Sequence, residues 1–158
     1  MGFVIRAARV EDAEAISAVR VQSWRESYSH FLSDGLLGSM DVARGAVTWR
    51  ELIAGGATVA VAEVDGEVRG FAASGAPEED NPPRDLALWL MYQLATEHGS
   101  GSGQALLDAV ISDRPAQLWV AELNPRAIAF YRRNGFVADG ERLVRPDWED
   151  LAEIRMVR

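Results

Sequence analysis

Apolar residues recur along this chain with two periods. Ala13, Ile16, Val19 and Ser23 mark a core-facing stripe at helical spacing, with Trp24 and Tyr28 one turn further on. Val10-Glu-Asp opens that helix with acidic residues, which a helix start favours. Residues 41–54 predict a second helix with Val47 and Leu52 among its apolar positions, ended by Gly55-Gly56. Residues 3–9 alternate well enough for a short first strand. Thr58–Val64 and residues 67–74 read as two strands around Asp65-Gly66, the best short-range hairpin signal in the chain. Residues 86–94, LALWLMYQL, are nearly all apolar and have the length of a buried strand. Leu106, Leu107 and Val110 return to helical spacing. A strand at 118–123 precedes Asn124 and Pro125, which suit the cap and first position of another helix. Ala127, Phe130 and Tyr131 share a face of that helix, and Asn134-Gly135 stops it. Residues 137–144 and 151–157 close the chain as two strands joined through Pro146-Asp147. The alternation predicts helices packed on a mixed sheet, in one domain over residues 1–158.

Composition narrows the chemistry. The chain has no cysteine, so disulfides, thiolate metal sites and a cysteine nucleophile are excluded. All sixteen Lys and Arg residues are arginine, so no Schiff base can form. His30 and His98 are too separated to suggest a metal site, and none is expected. A net charge of −8 disfavours nucleic acid; it favours a cationic acceptor if the acidic residues line the entrance, the other reading being a solvated acidic surface. No apolar run reaches membrane-spanning length and no signal-peptide pattern opens the chain, so a cytoplasmic protein without a membrane partner is expected.

The chain is organised around HGSGSGQALLDAV, residues 98–110. Three alternate glycines, Gly99, Gly101 and Gly103, lie between the apolar strand and a helix. A helix start leaves N–H groups without partners and carries partial positive charge, and glycines let a phosphate come close. A dinucleotide fingerprint fails, because its third glycine would fall on Gln104. A Walker A loop fails for want of a lysine. On the glycines alone, a flexible turn and a phosphate cradle stand about level; the flanking strand and helix favour the cradle.

HGSGSGQALL resembles the acyl-CoA pyrophosphate loop of the GNAT superfamily of N-acyltransferases. His98 stands where Arg or Gln is usual, and Ser100 and Ser102 stand where a basic and an aliphatic residue are common; Gly101 and Gly103 match. A second motif is similar too: Asn124, Ala127, Phe130, Tyr131, Gly135 and Phe136 follow the family's late helix. With the hairpin and early helices, the resemblance spans essentially the whole chain. It implies an α/β (α+β) fold, with a mixed, mostly antiparallel central sheet flanked by helices and a splayed central strand.

The same resemblance implies a site. Acetyl-CoA is the expected cosubstrate and an amine the acceptor. Tyr92, Gln93 and Leu94 would offer main-chain groups to the pantetheine arm, although Gln93 stands at a usually aliphatic position. His98, Gly99, Ser100, Gly101, Ser102, Gly103 and Gln104 would form the pyrophosphate loop. Asn124 would bond the pantetheine arm, with Ala127 and Phe130 beside it, and Tyr131 would protonate the leaving thiolate. Phe130, lacking a polar atom, is the expected core anchor, leaving Tyr131 to reach the donor. Trp24 and Tyr28 fall in the part that walls the acceptor site. Related proteins often place a glutamate near the position of Ala87; Asp85, Glu122 and Glu153 are other candidate bases, and a water chain is a further option. A homodimer is compatible with the family. The alternative is a non-catalytic acyl-CoA-binding module or sensor of the same fold.

Overall fold

A computed structural model describes residues 2–158 of the protein. The strands are β1 (Val4–Ala7), β2 (Thr58–Val64), β3 (Glu67–Gly75), β4 (Ala87–Gln93), β5 (Gln117–Ala121), β6 (Val137–Arg145) and β7 (Leu151–Val157). The helices are α1 (Ala13–Tyr28), α2 (Asp34–Gly38), α3 (Val42–Ala54), α4 (Ser102–Val110) and α5 (Pro125–Arg133). The sheet is seven-stranded, in the order β1-β2-β3-β4-β5-β7-β6. Its pairings are antiparallel at β1–β2, β2–β3, β5–β7 and β6–β7, and parallel where Ala87 and Leu88 face Gln117 and Leu118. Every strand and helix expected from the sequence is present, with ends moved by at most three residues. The additions are α2 and short 3₁₀ turns before α1, after β4 and before β7.

The residues form two compact units. The first runs to Ser74 and takes in Leu90–Ser112. Ile16, Val61, Phe71, Leu106 and Leu107 are fully buried there, and Trp49 meets Phe71 edge-on at 5.2 Å. Burying each such side chain stabilises by about 1.5–3 kcal/mol. The stripe read from the sequence on α1 is the buried one: Ala13, Ile16, Val19 and Ser23 all face inward. On α3 the buried residues are Ala46 and Trp49, whereas Val47 is exposed. Ser17 Oγ donates to the Val42 carbonyl at 2.8 Å, fastening α1 to the start of α3.

The second unit comprises Gly75–Trp89 and Asp113–Arg158. Its core holds Leu118, Phe136 and Met156. The acidic loop at 76–84 is tied down by Glu79, which accepts hydrogen bonds from Gln117 Nε2, Trp119 Nε1 (2.9 Å) and Arg155 Nη1 (2.8 Å). Arg84 Nε donates to the Arg158 carbonyl at 2.8 Å. The segment is therefore anchored onto β5 and β7. β4 contributes its first residues to this unit and its last to the other, so it carries the chain from one to the other. No helix among the described residues is long and apolar enough to cross a membrane.

Candidate active site

In the first unit the site grows from the end of β4. The Gln93 carbonyl accepts from Ser23 Oγ of α1 at 3.1 Å. Leu94 N–H donates to the Arg69 carbonyl of β3 at 3.0 Å, and Ala95 N–H donates to Glu26 Oε1 of α1 at 3.0 Å. A 3₁₀ turn, Ala95–Glu97, then reverses the chain, with His98 N–H donating to the Ala95 carbonyl at 3.1 Å. The strand end is thus held from both sides before the loop begins.

The loop is shaped by two left-handed glycines, Gly99 at φ +83° and Gly101 at φ +93°. Residues with a Cβ rarely adopt such angles. Gly101 caps α4 and has no side chain to satisfy the helix start. The first helical bond runs from Ala105 N–H to the Gly101 carbonyl at 3.2 Å. Ser102 N–H is taken by Ser100 Oγ at 3.2 Å. Among the described residues, the N–H groups of Gly99, Gly101 and Gly103 have no hydrogen-bond partner. A row of free glycine amides at the positive end of a helix is an anion site. It suits a pyrophosphate, because no Cβ keeps the phosphate away.

Beneath the loop lies Gln93, expected from the sequence to contribute only backbone. Its side chain points to the loop, and its Nε2 donates to Ser102 Oγ. A Cβ on Gly103 would come within 2.7 Å of Gln93 Oε1, and one on Gly70 within 3.2 Å of its Cγ. Two glycines on separate elements therefore make room for the Gln93 side chain, Gly70 at its Cγ and Gly103 at its carboxamide. Gln93 and Ser102 are also two positions where this chain departs from the usual aliphatic residues, and here they bond each other.

In the second unit, Asn124 caps α5: its Oδ1 accepts from Ala127 N–H at 3.1 Å. Tyr131 is 6% exposed, and its ring packs edge-on against Phe130 (5.4 Å) and Phe136 (5.9 Å). Phe130 is only half-buried, with the Arg133 guanidinium over its face at 5.9 Å. The expected division is reversed here: Tyr131 is the more deeply set ring and Phe130 the outer one. The reason is that Phe136, returning after the Gly135 stop, packs against Tyr131. Of the three candidate carboxylates, Glu122 accepts from Arg142 at 3.0 Å and Glu153 from Arg145 at 2.7 Å, whereas Asp85 is exposed.

Trp24 and Tyr28 are both buried on α1, 5.0 Å apart and edge-on, with Arg20 over the Trp24 ring at 5.6 Å. The structure thus brings Tyr92, Gln93, Leu94 and residues 98–104 together in one unit, and Asn124, Ala127, Phe130 and Tyr131 in the other. Sequence reading missed Ser23, Glu26 and the Gln93 side chain. The available signals were a serine inside the buried stripe of α1 and a carboxamide inside an apolar strand.

The family model described as acetyltransferase (GNAT) domain matches residues 55–138, more than half of the chain. The uncharacterized N-acetyltransferase YuaI of Bacillus subtilis is 29% identical over 96% of this chain and 95% of its own length. The probable N-acetyltransferase Rv2775 of Mycobacterium tuberculosis is 28% identical over 96% of this chain and 88% of its own. Among solved structures, PaiA N-acetyltransferase of Thermoplasma acidophilum, in complex with coenzyme A, matches with a TM-score of 0.72 at 18% identity, covering 98% of each chain. With the glycine loop on α4 and the Asn124-to-Phe136 motif on α5 in place, the chain belongs to the GNAT superfamily and is an N-acetyltransferase.

Proposed function

We propose that the enzyme transfers an acetyl group from acetyl-CoA to a primary amine by direct attack within a ternary complex. One observation carries the donor side of this reading: three glycine amides without partners open α4, two of them in loop residues held at left-handed angles. That arrangement fits the pyrophosphate of a coenzyme A thioester, and the coenzyme A complex of the Thermoplasma relative supports it. The loop residues 98–104 grip the pyrophosphate, and the main chain at Tyr92, Gln93 and Leu94 takes the pantetheine arm. Asn124 adds a contact to that arm at the start of α5, with Ala127 and Phe130 alongside.

The amine nitrogen attacks the thioester carbonyl, and a tetrahedral oxyanion forms. A main-chain N–H group within β4 stabilises it. The C–S bond then breaks, and the thiolate takes a proton from the Tyr131 hydroxyl. The nitrogen loses its proton to solvent, since Glu122 and Glu153 are engaged by arginines. The lack of cysteine supports direct transfer over an acyl-enzyme route. Trp24 and Tyr28 shape the acceptor side through packing, and the net negative charge favours a cationic amine. A cytoplasmic setting belongs to the same proposal.

The test is thiol release by the purified protein with acetyl-CoA and a panel of small amines and peptide N-termini. Amine-dependent release is expected. Saturable acetyl-CoA binding without release under any amine would instead support the acyl-CoA sensor.

A further inference from the structure

We propose that Gln93 is a positioning residue for the phosphate loop, acting through its side chain on Ser102 rather than on the reacting atoms. The inference rests on the transferase reading above. Gln93 stands where three elements meet. Its carbonyl is held by Ser23 Oγ of α1, and its Cγ passes over Gly70 of β3. Its carboxamide lies against Gly103 at the first turn of α4.

The bond from Nε2 to Ser102 Oγ starts a chain. Ser102 Oγ also accepts from the Ser100 hydroxyl at 3.0 Å, and Ser100 Oγ accepts from Ser102 N–H at 3.2 Å. Ser102 is 1% exposed, so its hydroxyl cannot turn to water if a partner is lost. A buried polar group left unpaired costs the full desolvation of that group. The chain therefore pins Ser100 and Ser102, the residues on either side of left-handed Gly101. The loop amides are set for the phosphate before it arrives, which lowers the ordering cost of binding.

The reading predicts where the effect of Gln93 stops. It should act on the pyrophosphate and not on the acyl group or the amine. Gln93→Met keeps the length and volume of the side chain while removing the donor. With acetyl-CoA this variant should lose about tenfold more kcat/KM than with acetyl-pantetheine, which lacks the pyrophosphate. The loss should lie in KM. Ser102→Ala, which leaves β4 intact, should reproduce it, and the double variant should cost no more than either single one. Equal losses with the two donors, or coenzyme A affinity at the wild-type value in both single variants, would overturn the proposal. So would additive losses in the double variant. A wild-type protein that binds no coenzyme A in calorimetry would overturn the transferase reading itself, and this inference with it.

Discussion

The starts of α4 and α5 follow the same plan and end differently. Each follows a strand through a short turn. At α5 the chain satisfies its own helix: Asn124 Oδ1 takes Ala127 N–H, and Pro125 at the first position removes a donor. At α4 the cap is a left-handed glycine with no side chain to offer, and the amides of Gly99, Gly101 and Gly103 are without partners. One helix start is closed by its own residues and the other is left open. Water can serve the exposed Gly99 and Gly101 amides, but an anion there also gains from the positive end of the helix, so the contrast favours α4 as the anion-binding end. Because the Gly101 amide is part of the opening, the serines that brace it act on the frame and leave the opening clear.

The largest break concerns the closed helix. Tyr131→Phe keeps the ring between Phe130 and Phe136 and removes only the hydroxyl. Turnover at saturating acetyl-CoA and amine should fall about 10²-fold, as for a lost general acid, with folding and donor affinity kept. Thiol release at wild-type rate would reduce Tyr131 to packing.

Gly101→Val attacks the open helix. A Cβ there meets only Phe3, at 3.9 Å, so no clash inside the protein is expected. The cost comes from φ +93° and from the approach of the phosphate. Coenzyme A affinity should fall about 30-fold in calorimetry, about 2 kcal/mol. Gly101→Asn separates the two causes, because asparagine tolerates the left-handed region. If Asn matches Val, steric approach dominates.

At a third helix start, α1, the capping residue Asp12 bonds none of the helix amides with its side chain and is instead held by charge. Arg6 Nη1 and Nη2 donate to Asp12 at 2.7 and 2.9 Å, and Arg9 N–H donates to it at 2.7 Å. The hydrogen bonds from Arg6 come first in holding the Asp12 carboxyl below the usual carboxylate range, against the opposing effect of burial. A depressed acid stabilises fully above its unfolded value near ~3.9, and that stability is lost as pH falls toward the folded value. Asp12→Asn should cost about 1.5 kcal/mol at neutral pH. Its melting temperature should also decline less steeply than wild type on acidification below about pH 4. Parallel acid profiles for the two proteins would remove Asp12 as the source.

The smallest effect is expected at the α5 cap. Asn124→Ala should destabilise by about 1 kcal/mol, read as a lower melting temperature, and Asn124→Ser should restore most of it. If Asn124 also bonds the pantetheine arm, the KM for acetyl-CoA rises in both variants. Recovery of KM along with stability in Asn124→Ser would confine the residue to the cap.

Much of this was legible in the chain, because periodicity and capping are local. Thr58–Val64 and Leu151–Val157 are strands with the bounds read from sequence, and Asn124, Pro125 and Gly135 punctuate α5 as expected. The left-handed angles of Gly99 and Gly101 came only with the structure, since Gly103 of the same run is helical. The glycine loop, its place between strand and helix, and the chemistry excluded by the missing cysteine and lysine follow from residue identity alone. Only the tertiary structure decided which ring is buried. Phe130 and Tyr131 are neighbours in sequence, and Phe136 chose between them by packing on Tyr131. It alone also gave the Gln93 side chain its role. Gly70, Ser23 and Ser102 come from three different elements, and no local pattern records that a strand glutamine will find a slot between two glycines and a hydroxyl at its end. Backbone preference is written residue by residue, whereas a partner across the fold exists only once the chain has closed around it.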